Sequence, residues 1–187
     1  MKCSVYIATS ADGFIAKPDG SVDWLHTCGN LEADLGEDAD MGFAHFMSSI
    51  DCMIMGRKTM EIISEMNLTS EQWPYGDTSI FVLSNTLSTP PKNMEGRIEL
   101  YAGEIEHLVA QLESKDLQHA YVDGGTTIQS FLNRKLIDEM TISRAPILLG
   151  QGIPLFNNLN TEIKLYNCNA KAFPNDFIQE YYSVSYT

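Results

Sequence analysis

Four short segments carry residues whose types and spacing can do chemistry. They are Thr9-Ser10-Ala11-Asp12-Gly13, Gly56-Arg57-Lys58-Thr59, Ser84-Asn85-Thr86 and Gly124-Gly125-Thr126-Thr127. The second places a glycine, two cations and a hydroxyl just past an apolar run. Where a strand gives way to a helix, the free N–H groups of the first helical turn form an anion site. Gly56 would admit a phosphate close to the backbone, and Arg57 would grip it with a two-pronged hydrogen bond. Thr59 adds a hydroxyl and Lys58 a further positive charge. Gly124, Gly125, Thr126 and Thr127 form a second such corner, and two corners suit the diphosphate of a dinucleotide. The G-x-x-x-x-G-K spacing of a Walker loop is absent. Each segment alone also has a plain structural explanation. Glycines after strands serve turns, Thr59 can cap a helix, and Arg57 and Lys58 can be solvated.

The surrounding pattern predicts what would position these segments. Val5 to Ala8, Cys52-Met53-Ile54-Met55, Ile80-Phe81-Val82-Leu83 and Ala120-Tyr121-Val122 are short apolar runs that read as buried strands. Phe14-Ile15 continues the first beyond a turn at Asp12-Gly13. Helical faces are marked by Phe43, Phe46, Met47 and Ile50, by Thr59 to about Glu65, by Ile105, Leu108, Val109 and Leu112, and by Ile128, Phe131 and Leu132. A short strand is expected near Ile98 to Tyr101. Beyond Leu136 the pattern turns extended, and Ile178, Glu180, Tyr182, Val184 and Tyr186 alternate on one side of a strand. The expectation is an α/β fold of three layers, its sheet mainly parallel, with helices on both faces and antiparallel strands at the C-terminal end. In open sheets of this kind ligands sit beyond the carboxyl ends of the strands, where all four segments fall.

Composition narrows the function. The chain has 187 residues, and 12 Lys+Arg against 25 Asp+Glu leave a net charge of −13. Such a surface disfavours nucleic acid as a partner, while a small phosphorylated ligand held by local cations fits. The length suits one domain over residues 1–187. No apolar run is long enough to span a membrane, and the N-terminal stretch is too short for a secretory signal. The four cysteines and four histidines have no metal-ligand spacing. Reduced thiols in a cytoplasmic protein and no metal site are expected.

The segments together resemble a known family. Ala8-Thr9-Ser10-Ala11-Asp12-Gly13-Phe14-Ile15, Met55-Gly56-Arg57-Lys58-Thr59-Met60, Val82-Leu83-Ser84-Asn85 and Asp123-Gly124-Gly125 look like the ordered motifs of the dihydrofolate reductase-like fold. Leu136-Ile137-Asp138-Glu139-Met140 followed by Ala145-Pro146-Ile147-Leu148-Leu149-Gly150 resembles, within that fold, the reductase domain of the riboflavin-biosynthesis deaminase–reductase. The likeness spans about Val5 to Phe156. No H-x-E or P-C-x-x-C zinc pattern of a deaminase half is present in the chain.

The resemblance implies an NADPH-dependent reductase of a small pterin, folate or ribosylaminopyrimidine-type heterocycle. A non-catalytic module that keeps the dinucleotide cleft is the alternative. Ala8 and Ile15 would flank the nicotinamide, and Arg57 and Thr59 would contact the 2′-phosphate and diphosphate. Ser84 would lie beside the adenosine ribose, with Asn85 where many folate reductases carry a second Arg. Gly124 and Gly125, often joined by a cis bond in the family, would hug the diphosphate. Small relatives often pair through C-terminal β elements, which implies a homodimer.

A proton donor is needed if hydride adds to a C=N bond. Asp40 lies 56 − 40 = 16 positions before Gly56, as the folate reductase acid does before its glycine, but it also suits a helix cap. Asp12 is a second acid, equally suited to a turn. Trp24 can cover a bound ring or anchor the core. Glu139 has a family counterpart, or pairs with Arg144 on one strand face.

Overall fold

The computed structural model describes residues 1–187. In chain order its elements are β1 (Lys2–Ser10), β2 (Phe14–Ala16), α1 (Phe43–Met47), β3 (Cys52–Gly56), α2 (Arg57–Glu65), β4 (Ser79–Leu83) and β5 (Glu99–Tyr101). There follow α3 (Ile105–Glu113), β6 (His119–Asp123), α4 (Gly125–Asn133), β7 (Glu139–Ala145), β8 (Ile153–Pro154), β9 (Lys164–Ala172) and β10 (Ile178–Ser185). Eight strands form one sheet in the order β5-β4-β3-β6-β1-β7-β10-β9. The pairs from β5 to β7 are parallel, and β10 runs antiparallel to both β7 and β9. β2 and β8 form a separate antiparallel ribbon.

Period-two alternation distributes each strand between two cores. In β3, Cys52 and Ile54 face a core with Leu108, Leu112, Ile128 and Phe131 of α3 and α4. Met53 and Met55 point the other way, into a core with Met60 and Ile63 of α2, against which Phe43 and Phe46 of α1 pack. Both sheet faces are thereby covered, which is why the strands read as unbroken apolar runs. The expected three layers are present.

Some boundaries differ from expectation. β1 extends to polar residues at both ends because β6 pairs with its residues 2–4 and β7 with its residues 4–10, and buried Ser4 bonds its hydroxyl to His119 Nε2 at 2.8 Å. α2 starts directly at Arg57. The expected Glu139–Arg144 pair is corrected. Residues five apart on a strand face opposite sides, so Glu139 pairs with Lys2 at 2.7 Å and Arg144 with Glu180 at 2.8 Å.

Candidate functional site

β3 and β6 are neighbours in parallel register, with Met55 opposite Asp123. Their carboxyl ends therefore release α2 and α4 side by side, and the two helix starts lock into each other. A Cβ on Gly124 would overlap Thr59 Oγ1 of α2, and a Cβ on Gly56 would come within 2.8 Å of Thr127 Oγ1 of α4. Each helix thus offers a hydroxyl to the bare backbone at the start of the other. Gly124 also has φ +91°, a conformation side chains rarely adopt. Asp123 Oδ1 holds it by accepting the Gly124 N–H at 2.8 Å.

The two corners open into one cleft of about 650 Å³. Gly56, Arg57, Lys58 and Thr59 line one part, and Gly124, Gly125, Thr126 and Thr127 another. Ala8 of β1 and Ile15 of β2 supply apolar wall beside them, with Leu25, Tyr75 and Ile153. Gly125 is small because Ile15 Cδ1 would lie only 2.7 Å from a Cβ there. Ten residues expected at a dinucleotide site are therefore together. Ser84 and Asn85 are not on this wall, which Leu83 forms instead. The Ser84 hydroxyl accepts the Leu87 N–H at 2.9 Å and shapes the turn after β4. The peptide bonds are all trans, including Gly124–Gly125, where the resemblance implied a cis bond.

The acids fall into different settings. Asp12 Oδ1 accepts the Ser10 hydroxyl at 2.6 Å and the Leu149 N–H at 3.1 Å, and Oδ2 the Gly150 N–H at 2.7 Å. It staples the first turn to the loop before β8 and so sets the ribbon that carries Ile15. The Ser10 hydrogen bond is the main reason its carboxyl lies below the usual range. Asp40 accepts the Ala44 N–H at 2.6 Å and the Gly42 N–H at 2.9 Å, which likewise hold its carboxyl low. It sits at the entrance to α1 and lines a second cavity, of about 490 Å³, that shares Ala8 and Leu25 with the cleft. Trp24 lines neither cavity. It is buried with Ala145, Phe173 and Phe177, its indole Nε1 without a partner.

Asp123 is the acid that sequence reasoning quoted within a motif without giving it a role. It is half-buried on the cleft wall, where burial pushes its carboxyl up to about 6 against the opposing Gly124 N–H. Burial, and after it the Asp123 charge, raises the phenols of Tyr75 and Tyr121. An acid closing a buried strand immediately before a glycine pair was the available signal, since that point is the mouth of an open α/β sheet.

The sheet order, with both helix starts on one cleft, is that of the dihydrofolate reductase-like fold. The Enterococcus faecalis dihydrofolate reductase complexed with NADP(H) superposes with a TM-score of 0.60 at 12% identity, covering 98% of this chain and 95% of that one. The RibD C-terminal domain model matches residues 2–179, and the chain belongs to that family. It is similar to a putative riboflavin biosynthesis protein from Shewanella sp. PV-4, with a TM-score of 0.87, 38% identity and 99% of each chain covered. A Thermotoga maritima diaminohydroxyphosphoribosylaminopyrimidine deaminase/5-amino-6-(5-phosphoribosylamino)uracil reductase shares the fold, with a TM-score of 0.66 at 12% identity. That match covers 97% of this chain and 56% of the Thermotoga protein.

The helix interlock predicts a graded stability effect. Gly20 has φ +89° with nothing within 4 Å of an added Cβ. Gly20→Ala should cost about 1–2 kcal/mol from backbone conformation alone. Gly124→Ala should cost clearly more in chemical denaturation, because its Cβ also displaces Thr59. Equal losses would show that the interlock contributes nothing.

Proposed function

We propose that the protein is an NADPH-dependent reductase of a small heterocyclic or imine-like substrate. The observation that carries this reading is the convergence of two strand-to-helix anion corners on one cleft with an apolar wall. The residues fit a pyridine dinucleotide. The N-termini of α2 and α4 present N–H groups to a diphosphate, Thr59 and Thr127 border it, and Ala8 and Ile15 give a flat ring an apolar seat. The bound dinucleotide would supply the hydride, while the chain supplies geometry and charge. Arg57 makes only a long ion pair, 3.7 Å, with exposed Glu61 and is available for a 2′-phosphate. Asp123 is the cleft acid suited to holding a proton, whereas Asp12 and Asp40 are held ionised by their donors.

No helix is long and apolar enough to cross a membrane, and Cys3, Cys28, Cys52 and Cys168 are unpaired. The unpaired thiols suit the reducing cytoplasmic setting that is part of this reading. A second copy of the chain is proposed as its partner through β9. This edge strand is exposed along its whole length and carries Leu165 and Tyr166 into solvent.

Three outcomes test the reading. By titration calorimetry, Arg57→Ala should weaken NADPH roughly ten- to hundredfold and NADH little, as loss of a charge-assisted contact does. Equal loss for both rejects the 2′-phosphate role. Asp123 is neutral below about pH 6 and charged above it, so its repulsion of the dinucleotide grows as pH rises. Dinucleotide affinity should fall through that pH relative to Asp123→Asn, and parallel profiles for the two proteins refute the assignment. In sedimentation the protein should have twice the chain mass, and the double variant Leu165→Glu/Tyr166→Glu should have the single mass. A monomeric wild type rejects the pairing.

A further inference from the structure

A third cavity, of about 610 Å³, opens at the amino ends of β4 and β5. The cleft between α2 and α4 lies at the other end of the sheet, where Leu83 closes β4. Ser79 and Ile80 of β4 and Glu99 of β5 line the third cavity, with Trp73, Asp77 and Arg97 from the loops that lead into those strands. Its size is that of a site for a small molecule.

Arg97 is held there by an aromatic ring rather than by an acid. Its guanidinium carbon lies 4.6 Å from the centre of the Trp73 ring, and a guanidinium stacked in this way keeps its N–H edge for another partner. Arg57, Arg134 and Arg144 each reach a glutamate. Arg97 reaches no carboxylate, although Asp77 and Glu99 line the same cavity. Those two acids also have no partner within the protein, and neither do the hydroxyls of Ser70 and Thr78 beside them.

The cavity therefore presents both signs of charge, unpaired, beside an apolar floor of Ile80 and Ile98. A simple anion would meet Arg97 but face two carboxylates. A simple cation would meet the carboxylates but face Arg97. A small molecule that carries both charges satisfies all three groups at once. A carboxylate matches the guanidinium fork, and an ammonium brings three donors to the acceptor oxygens of Asp77 and Glu99.

We infer that this cavity binds a free apolar α-amino acid, its carboxylate on Arg97, its ammonium on Asp77 and Glu99, and its side chain against Ile80 and Ile98. The site is separate from the reductase reading and does not depend on it.

Three compounds of one shape provide the test: L-leucine, 4-methylpentanoate, which lacks the ammonium, and 3-methylbutylamine, which lacks the carboxylate. Each is titrated into the protein and followed by tryptophan fluorescence. Of the two tryptophans, Trp24 is buried in a different cluster, so the signal reports Trp73. Trp73 meets Tyr75 of the cleft wall edge-on at 5.1 Å, and dinucleotide is therefore left out. Leucine should bind at least tenfold tighter than either truncated compound, and Arg97→Gln should weaken it at least tenfold. Asp77→Asn/Glu99→Gln changes two exposed residues, so folding should be unaffected. That double variant should prefer 4-methylpentanoate to leucine. No saturable binding of leucine, equal affinity for the three compounds, full affinity in Arg97→Gln, or an unchanged ranking in the double variant overturns the inference.

Discussion

The site rests on a steric reciprocity between two helix starts. α2 and α4 can emerge side by side from β3 and β6 only because Gly56 and Gly124 have no side chains where Thr127 and Thr59 reach across. Close approach of the helices brings two sets of unpaired N–H groups to one place, and their partial positive charges then act together. Spread over separate surfaces, the same residues would be two ordinary helix caps. Asp123 adds to the lock by bonding the Gly124 N–H, at the expense of keeping an acid in a partly dry position.

Electrostatics divides the molecule in a way that net charge conceals. Against an overall charge of −13, Arg57 and Lys58 stand at the mouth of the cleft. Three aspartates of identical chemistry are set apart by their donors. Asp12 is tied into a turn by three of them, and Asp40 accepts two backbone N–H groups. Asp123 has one against the desolvation of its surroundings. Donor count and burial, rather than residue type, separate a staple, a fixed anion and a group that can exchange a proton near neutrality.

Much of this was legible in the chain. The apolar runs around Met53, Phe81 and Val122 announce strands covered on both faces, and the glycines beyond them mark the edge where ligands collect. Ser84 and Asn85 follow a strand just as Arg57 does, yet β4 lies one place farther from the cleft and its exit is a turn closed by Ser84 itself. Local sequence carries no record of that sideways distance. Trp24 was ambiguous for a related reason. An aromatic ring reads the same whether it covers a ligand or fills a core, and only its burial against Phe173 and Phe177 separates the two. The second cavity was illegible, since its wall gathers Tyr6, Leu31, Ser143 and Phe177 from distant parts of the chain.

Gln179 belongs to a strand added antiparallel beyond β7, well away from β3, yet its amide steadies the turn that presents Asp40. The sheet is thus a chassis with two adjoining workshops that meet at Ala8 and Leu25. One is built from the parallel centre, where glycine contacts tolerate almost no variation. The other is braced by the C-terminal hairpin, where side chains can be exchanged without disturbing the helix starts. Descendants of such a protein could reshape the second cavity by drifting in the hairpin alone, leaving the paired helix starts untouched.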